Sequence, residues 1–299
     1  MATVTAATGA VDLLAASDTG ASSTDNITNK DNSSGKTLQF DVVDTIAGAD
    51  VVLYADGEAI GSGTGNGGTL TITTNGTVDL ADGELGITAK QTLAGKLTSI
   101  DSSDLTVTVD TTSVSVDEMI VNNGSNIRSR IGWLDFQFNE SDDVDWLIGQ
   151  GLLTLQVYHW DNVADEWEST PIDISDAVYS WEGGDYNTGR WDLWFTNHIN
   201  LADGYYAAII AGADLAGNAV DLGYSVVFWK LTGDLNADRA VDVSDLSILA
   251  GNFRQTTDYP WDFLDGDCNL DAAVDVSDLS LLAENFRVSL VPFNPPTWP

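Results

Sequence analysis

Between Val11 and Thr112 the apolar residues come in short runs broken by polar ones, as in TLQFDVV, DVVLYADGEAIGSG, TLTITT, LGITAK and LTVTVD. A period of two sends alternate side chains to opposite faces, so each run predicts a half-buried β-strand. Asp56-Gly57 lies between two such runs and marks a tight hairpin, because both residues tolerate the positive φ that the turn requires. No helical period interrupts the stretch. Short strands with turns at this spacing predict an antiparallel β-sandwich. The run GTGNGG (Gly63 to Gly68) joins strands with no helix after it, so it reads as a hairpin tip rather than a phosphate cradle.

From Val114 to Leu231 the same landmarks return. Leu80-Ala81-Asp82-Gly83 recurs as Leu201-Ala202-Asp203-Gly204, and Leu93-Ala94-Gly95 recurs as Leu215-Ala216-Gly217. In each copy a tight turn feeds a strand and another turn leads to the last strand, which predicts a second sandwich. Trp133, Trp146, Trp160, Trp167, Trp181, Trp191 and Trp194 crowd this stretch, whereas the first has no tryptophan. Exposed rings flanked by Asp and Asn would stack on sugars, giving a glycan contact. Core and rim packing is the competing reading, and the default burial of large aromatics favours it.

After Leu231 the pattern changes. GDLNADRAVDVSDLSILAGNF, from Gly233 to Phe253, is followed 33 residues later by GDCNLDAAVDVSDLSLLAENF, from Gly266 to Phe286, and 16 of the 21 positions are identical. Oxygen-bearing side chains fall at loop positions 1, 3, 5, 9 and 12: Asp234, Asn236, Asp238, Asp242 and Asp245, then Asp267, Asn269, Asp271, Asp275 and Asp278. That is the spacing of an EF-hand calcium loop. A hard cation takes roughly six to eight oxygens, and a twelve-residue loop can wrap it with the backbone carbonyls of Ala240 and Ala273 at position 7. Two calcium ions are the expected cofactors. Past each loop Leu246, Leu249, Ala250 and Phe253, then Leu279, Leu282, Ala283 and Phe286, recur at helical spacing and predict one apolar helix face. Before each loop FWKLT is β-like and PWDFLDG turn-like, so each unit is a loop with one following helix.

Two such half-hands, with Val241 and Val274 at the inward eighth position, resemble the dockerin module, a calcium-dependent plug for cohesin receptors. The resemblance implies a cohesin-like partner met at positions 10, 11, 17 and 18, which here are Val243, Ser244, Ala250 and Gly251, then Val276, Ser277, Ala283 and Glu284. It departs from the family there, where a Ser/Thr pair and a basic pair are common. It departs also at positions 4 and 6, where Ala237, Arg239, Leu270 and Ala272 replace the usual glycines. The segment from Ala15 to Asn29, AASDTGASSTDNITN, with the closing VTVDTT, resembles bacterial immunoglobulin-like repeats of surface adhesins. IVNNGSNIRSRIGWLDFQFNE and the LADG…LAGN landmarks resemble such domains that precede dockerin modules.

Charge narrows the partners. With 46 acidic against 11 basic side chains the net charge is −35, and no basic stripe exists to neutralise nucleic-acid phosphates. Only 8 of the acids are Glu, and Asp prefers turns and metal loops to helix interiors. Cys268 is the only cysteine, which excludes an internal disulfide. No window is apolar over the ~18 residues of a membrane span. The start, MATVTAATGAVDLLAAS, lacks a basic region followed by an apolar run, so the chain reads as a fragment without its signal peptide. For catalysis, His159 and His198 stand in no nucleophile or metal motif, and Glu140, Glu166, Glu168 and Glu182 fall in turn or rim segments.

The expected fold class is mostly β: an immunoglobulin-like sandwich over 1–113, a Trp-rich second one over 114–231, a small α-helical dockerin-like domain over 232–288 and a Pro-rich tail over 289–299. The expected function is non-catalytic attachment or docking outside the cell or at its surface, through two calcium ions. The alternatives are a carbohydrate-binding or docking part of a polysaccharide-degrading enzyme with its hydrolase upstream, and an adhesin stalk whose calcium is structural.

Overall fold

A computed structural model of the chain describes residues 3–138, 144–174, 178–180, 190–194, 201–220, 226–258 and 264–292, with backbone alone for 144–146, 178–180, 190–194 and 226. Glu140, Glu182, His198, Trp181 and the tail beyond Pro292 lie outside the described residues. The chain is mostly β and falls into two compact units, residues 1–114 with 212–220, and residues 115–211 with 221–299.

In the first unit β1 (Val11–Leu13), β3 (Gln39–Val42) and β6 (Leu70–Thr73) form one sheet in the order β1-β3-β6. The other sheet runs β2-β8-β7-β4-β5, from β2 (Ile27–Thr28), β4 (Asp50–Ala55), β5 (Glu58–Thr64), β7 (Gly83–Thr92) and β8 (Leu105–Val109). All the pairings are antiparallel except β2 with β8. The expected alternation is visible in β4, where Val51, Leu53 and Ala55 are buried between less buried neighbours. They join Leu38, Phe40, Ile60, Ile72 and Ile87 in a single apolar core. Asp56 and Gly57, at φ 46° and 89°, make the hairpin between β4 and β5. Segment 212–220 is held in this unit by hydrogen bonds from Thr19 Oγ1 to the Ala216 carbonyl (2.6 Å) and from Asn218 Nδ2 to the Asp110 carbonyl (2.9 Å).

The second unit holds two four-stranded sheets. One, in the order β13-β14-β10-β9, comprises β9 (Val116–Val121), β10 (Trp133–Phe138), β13 (Val178–Ser180) and β14 (Arg190–Trp194). The other, in the order β12-β11-β15-β16, comprises β11 (Leu153–Asp161), β12 (Glu166–Trp167), β15 (Gly204–Gly212) and β16 (Val226–Lys230). A short helix, α1 (Val144–Gly149), precedes β11. The two LADG landmarks occupy matching places: Gly83 opens β7 and Gly204 opens β15, both with positive φ.

Trp133, Trp160 and Trp167 are packing residues here. Trp160 is buried and stands edge-on to the half-buried Trp167 at 5.1 Å, and Trp133 is buried in β10. An exposed stacking platform built on Trp160 is therefore ruled out. His159 hydrogen-bonds Glu168 through Nδ1 (2.8 Å) and leans on the Tyr206 ring, so that pair serves the strand framework.

β16 leads directly into the two loops. The helices that follow them are α2 (Val243–Asn252) and α3 (Val276–Glu284). Leu231, Leu235, Val241, Leu249, Cys268, Val274 and Leu282 form their shared core, and Ile127 from the second sandwich enters it.

Candidate metal centre

Each helix begins as the continuation of its loop. Asp242 and Asp275, at position 9, are the N-caps, accepting from the N–H groups of Ser244 and Ser277 at 2.7 Å each. Asp245 and Asp278, at position 12 of the loop and N3 of the helix, complete the capping boxes through the N-cap amides, at 2.9 and 2.8 Å. The same two carboxylates reach back across the loop to the N–H of position 2, Leu235 and Cys268, at 2.8 Å each. One side chain thus ties the start of each loop to its end.

That double role sets which way each helix faces. The apolar stripe Leu246, Leu249, Ala250 and Phe253, with its counterpart after the second loop, is only partly buried. Leu249 and Leu282 are buried, but Ala250, Phe253, Leu279, Ala283 and Phe286 are exposed and Leu246 is half-buried. Asp245 and Asp278 are fully buried instead. Because the position-12 carboxylate must point into the loop, the helix turns to centre its inner face on positions 245 and 249, or 278 and 282, which are one turn apart.

The first-position carboxylates are similarly enclosed. Asp234 and Asp267 are 0% and 1% exposed. Burial pushes both upward in pKa, Asp267 to about 6, with Asp278 adding repulsion, and burial likewise raises Asp245 and Asp278. The capping carboxylates, Asp242 and Asp275, are held below their usual range by their serine hydrogen bonds. At positions 3 and 5, Asn236 Nδ2 donates to Asp238 Oδ2 and Asn269 Nδ2 to Asp271 Oδ2, both at 2.8 Å. Positions 4 and 6, without glycine, still adopt the left-handed conformation: φ is 61° at Ala237, 70° at Arg239, 55° at Leu270 and 70° at Ala272. The loop geometry therefore overrides residue preference at a strain of about 1–2 kcal/mol per site.

The repeats also clasp each other. Position 7 of each loop bridges the segment beyond the other helix, Ala240 with Ser289 and Ala273 with Thr256. Leu290 N–H donates to the Arg239 carbonyl and Arg287 N–H to that of Val241; Thr257 and Arg254 do the same for Ala272 and Val274. Extended backbone alternates its carbonyl directions, so the intervening Ala240 and Ala273 carbonyls turn to the opposite side from these bonds. Gly233 and Gly266, which sequence reasoning passed over, complete the clasp. At φ 97° and 100°, a Cβ would stand 3.2 Å from Leu282 Cα in the first case and 3.0 Å from Leu249 Cα in the second. The recurrence of Gly before each first Asp was the available signal.

The donor set fits calcium by its chemistry: each loop offers four carboxylates, one amide oxygen and a turned carbonyl, all hard oxygens. Its carboxylates are at present satisfied by loop amides, and among the described residues no three His, Cys, Asp or Glu side chains converge as a ready-made metal cluster. The eight candidate partner residues, Val243, Ser244, Ala250, Gly251, Val276, Ser277, Ala283 and Glu284, are all exposed, Val243 and Val276 by about two-thirds (65% and 67%). No helix among the described residues is long and apolar enough to cross a membrane.

No protein-family profile matches the chain. No curated protein matches it either. Among solved structures it is similar to a calcium-stabilised adhesin that helps an Antarctic bacterium reach out and bind ice, at 17% identity over 76% of this chain and 48% of that one, with a TM-score of 0.33. It is similar also to a tetra-tandem repeat from the extending region of a large adhesion protein, at 16% identity over 76% and 50%, TM-score 0.28. A cohesin–X-dockerin complex from Acetivibrio cellulolyticus shares 13% identity over 46% of this chain and 97% of that one, TM-score 0.18. The chain spans 48% and 50% of the two adhesin structures, and TM-scores this low carry no weight for function.

Proposed function

We propose that this chain is a non-catalytic part of an extracellular or cell-surface protein, and that its repeated loops bind two calcium ions and present the helices after them to a cohesin-like protein partner. The observation that carries the metal half is the pairing, in each loop, of enclosed carboxylates at positions 1 and 12 with a position-7 carbonyl turned away from its backbone bonds. Like charges enclosed together repel, and a divalent cation converts that repulsion into attraction. Millimolar calcium outside cells would load even a loop of modest affinity.

Docking is supported by the face the helices leave open. Val243 and Ala250 on one helix with Phe253 just past its end, and Val276, Leu279 and Ala283 on the other with Phe286 just past its end, form two related apolar stripes in an otherwise strongly acidic chain. Calorimetric titration of calcium-depleted protein should find two sites, both lost in the double variant Asp234→Ala, Asp267→Ala. Absence of heat at millimolar calcium refutes the metal reading. A cohesin domain should then bind in calcium and release in chelator, and Val243→Asp with Val276→Asp should abolish binding while leaving both calcium sites intact. Two intact sites with no cohesin binding would leave calcium a purely structural role, as in a stalk.

A further inference from the structure

The two loops share most of their sequence, yet their first carboxylates are held differently. Among the described residues Asp267 accepts only from its own loop, Oδ1 from the N–H of Asp271 (3.2 Å) and Oδ2 from that of Ala272 (2.9 Å). Asp234 Oδ1 accepts from Ala237 N–H (2.8 Å) and Asn236 N–H (3.3 Å), and its Oδ2 from Arg239 N–H (3.2 Å). A further donor reaches that Oδ2 from outside the loop: the indole Nε1–H of Trp229, at 3.1 Å.

Trp229 belongs to β16 of the second sandwich, opposite Tyr205 of β15. Its ring is flanked by two guanidinium groups, Arg239 at 4.4 Å and Arg128 at 5.5 Å from the centroid, which restrict its orientation. The sandwich holds the same loop at two more points. Arg128 N–H donates to the Asp234 carbonyl (2.8 Å), and Ser129 Oγ accepts from Gly233 N–H (2.9 Å) while donating to the Cys268 carbonyl (2.8 Å). Thirty-three residues after Trp229 the chain has Asp262, so the repeat does not place an indole at the same position; the adjacent Trp261 lies outside the described residues.

We propose that Trp229 is a positioning residue for the first calcium loop: by fixing the Asp234 carboxylate from the sandwich, it makes the first-position carboxylates of the two near-identical loops unequal, that of the first loop held partly by the neighbouring fold and that of the second by its own loop amides. This rests on the calcium reading above. Outer-shell hydrogen bonds to ligating groups typically contribute about 10–100-fold in metal affinity, and Trp229→Phe removes the N–H while keeping a ring between the arginines.

The test uses the full chain in two backgrounds, Asp267→Ala, which leaves the first loop, and Asp234→Ala, which leaves the second. Calorimetry with calcium alone should show Trp229→Phe weakening the first-loop background by about 10-fold or more and leaving the second-loop background unchanged. Equal losses in both, or no loss in the first, overturn the proposal. Silence in both backgrounds before Trp229 is touched overturns the calcium reading itself, and the proposal with it. If the Phe variant fails to fold, the protein with Trp229 intact and its indoles labelled with nitrogen-15 decides instead. One indole N–H resonance should move with calcium in the Asp267→Ala background and stay fixed in the Asp234→Ala background; no resonance behaving so refutes the inference.

Discussion

Replacing Gly266 by alanine strikes the clasp between the repeats at a point where the damage can be worked out. At φ 100° an L-residue meets backbone strain of about 1–2 kcal/mol. The new Cβ would also lie 3.0 Å from Leu249 Cα in α2 and 3.1 Å from Val274 Cγ1, and helix backbone cannot swing aside as a side chain does. Overpacking of that kind costs about 1–3 kcal/mol, so the total loss is roughly 2–5 kcal/mol. Small modules of this size rarely hold more than about 3–5 kcal/mol from their core, so the metal-free variant should lose its folded module. Cys268 gives a local readout: it is fully buried, and burial with the Asp278 charge beside it pushes its thiol up to about 12. Alkylation of Cys268 in calcium-depleted protein should be negligible in the parent and fast in Gly266→Ala. Gly251→Ala is the control, since no atom lies within 4 Å of that Cβ and alanine favours the helix by up to ~1 kcal/mol. A Gly266→Ala protein with parental melting and a protected Cys268 would refute the close approach of loop and helix.

Ala272→Gly should act in the opposite sense. Its φ of 70° means that removing the Cβ relieves about 1 kcal/mol of strain, partly offset by the greater freedom of glycine in the unfolded chain, for a net gain of up to ~1 kcal/mol in metal-free melts; a clear loss would contradict the strained loop. Acidification should also separate the metal-free and calcium-loaded forms. Asp267, raised in the folded state to about 6 from 3.8, binds its proton more tightly folded than unfolded, so this group adds stability as the pH falls through about 6 towards 3.8. Calcium-depleted protein should therefore melt higher at pH 5 than at pH 7, whereas in calcium the proton competes with the ion and the trend should reverse. A fall in the metal-free melting temperature over that interval would sink this account.

Much of this was legible from local pattern. Alternation in TLQFDVV and DVVLYA gave strands, Asp56-Gly57 gave its hairpin, and the repeat placed Val241 and Val274 inside. These features depend on neighbours a few residues away, where side-chain period and turn preference act directly. The same locality left the direction of the helix face open, because a period of 3.6 tells which residues share a stripe and not which way the stripe turns. Asp245 and Asp278 settled that by closing their loops, which drew charged groups inside and left Phe253 and Phe286 exposed.

The sequence by itself determined the β-rich character, the two loop-helix units and the acidic oxygens at their five positions. Only tertiary structure decided that Gly233 and Gly266 touch the opposite helices, that Ala240 and Ala273 pair with the far ends of the other repeat, and that Trp229 reaches Asp234. Each of those contacts joins segments whose approach depends on how the sheets and helices pack, a many-body outcome that no spacing along the chain encodes. Two loops with 16 of 21 residues in common can thus be chemically unequal, because the difference lies in what the fold sets beside them.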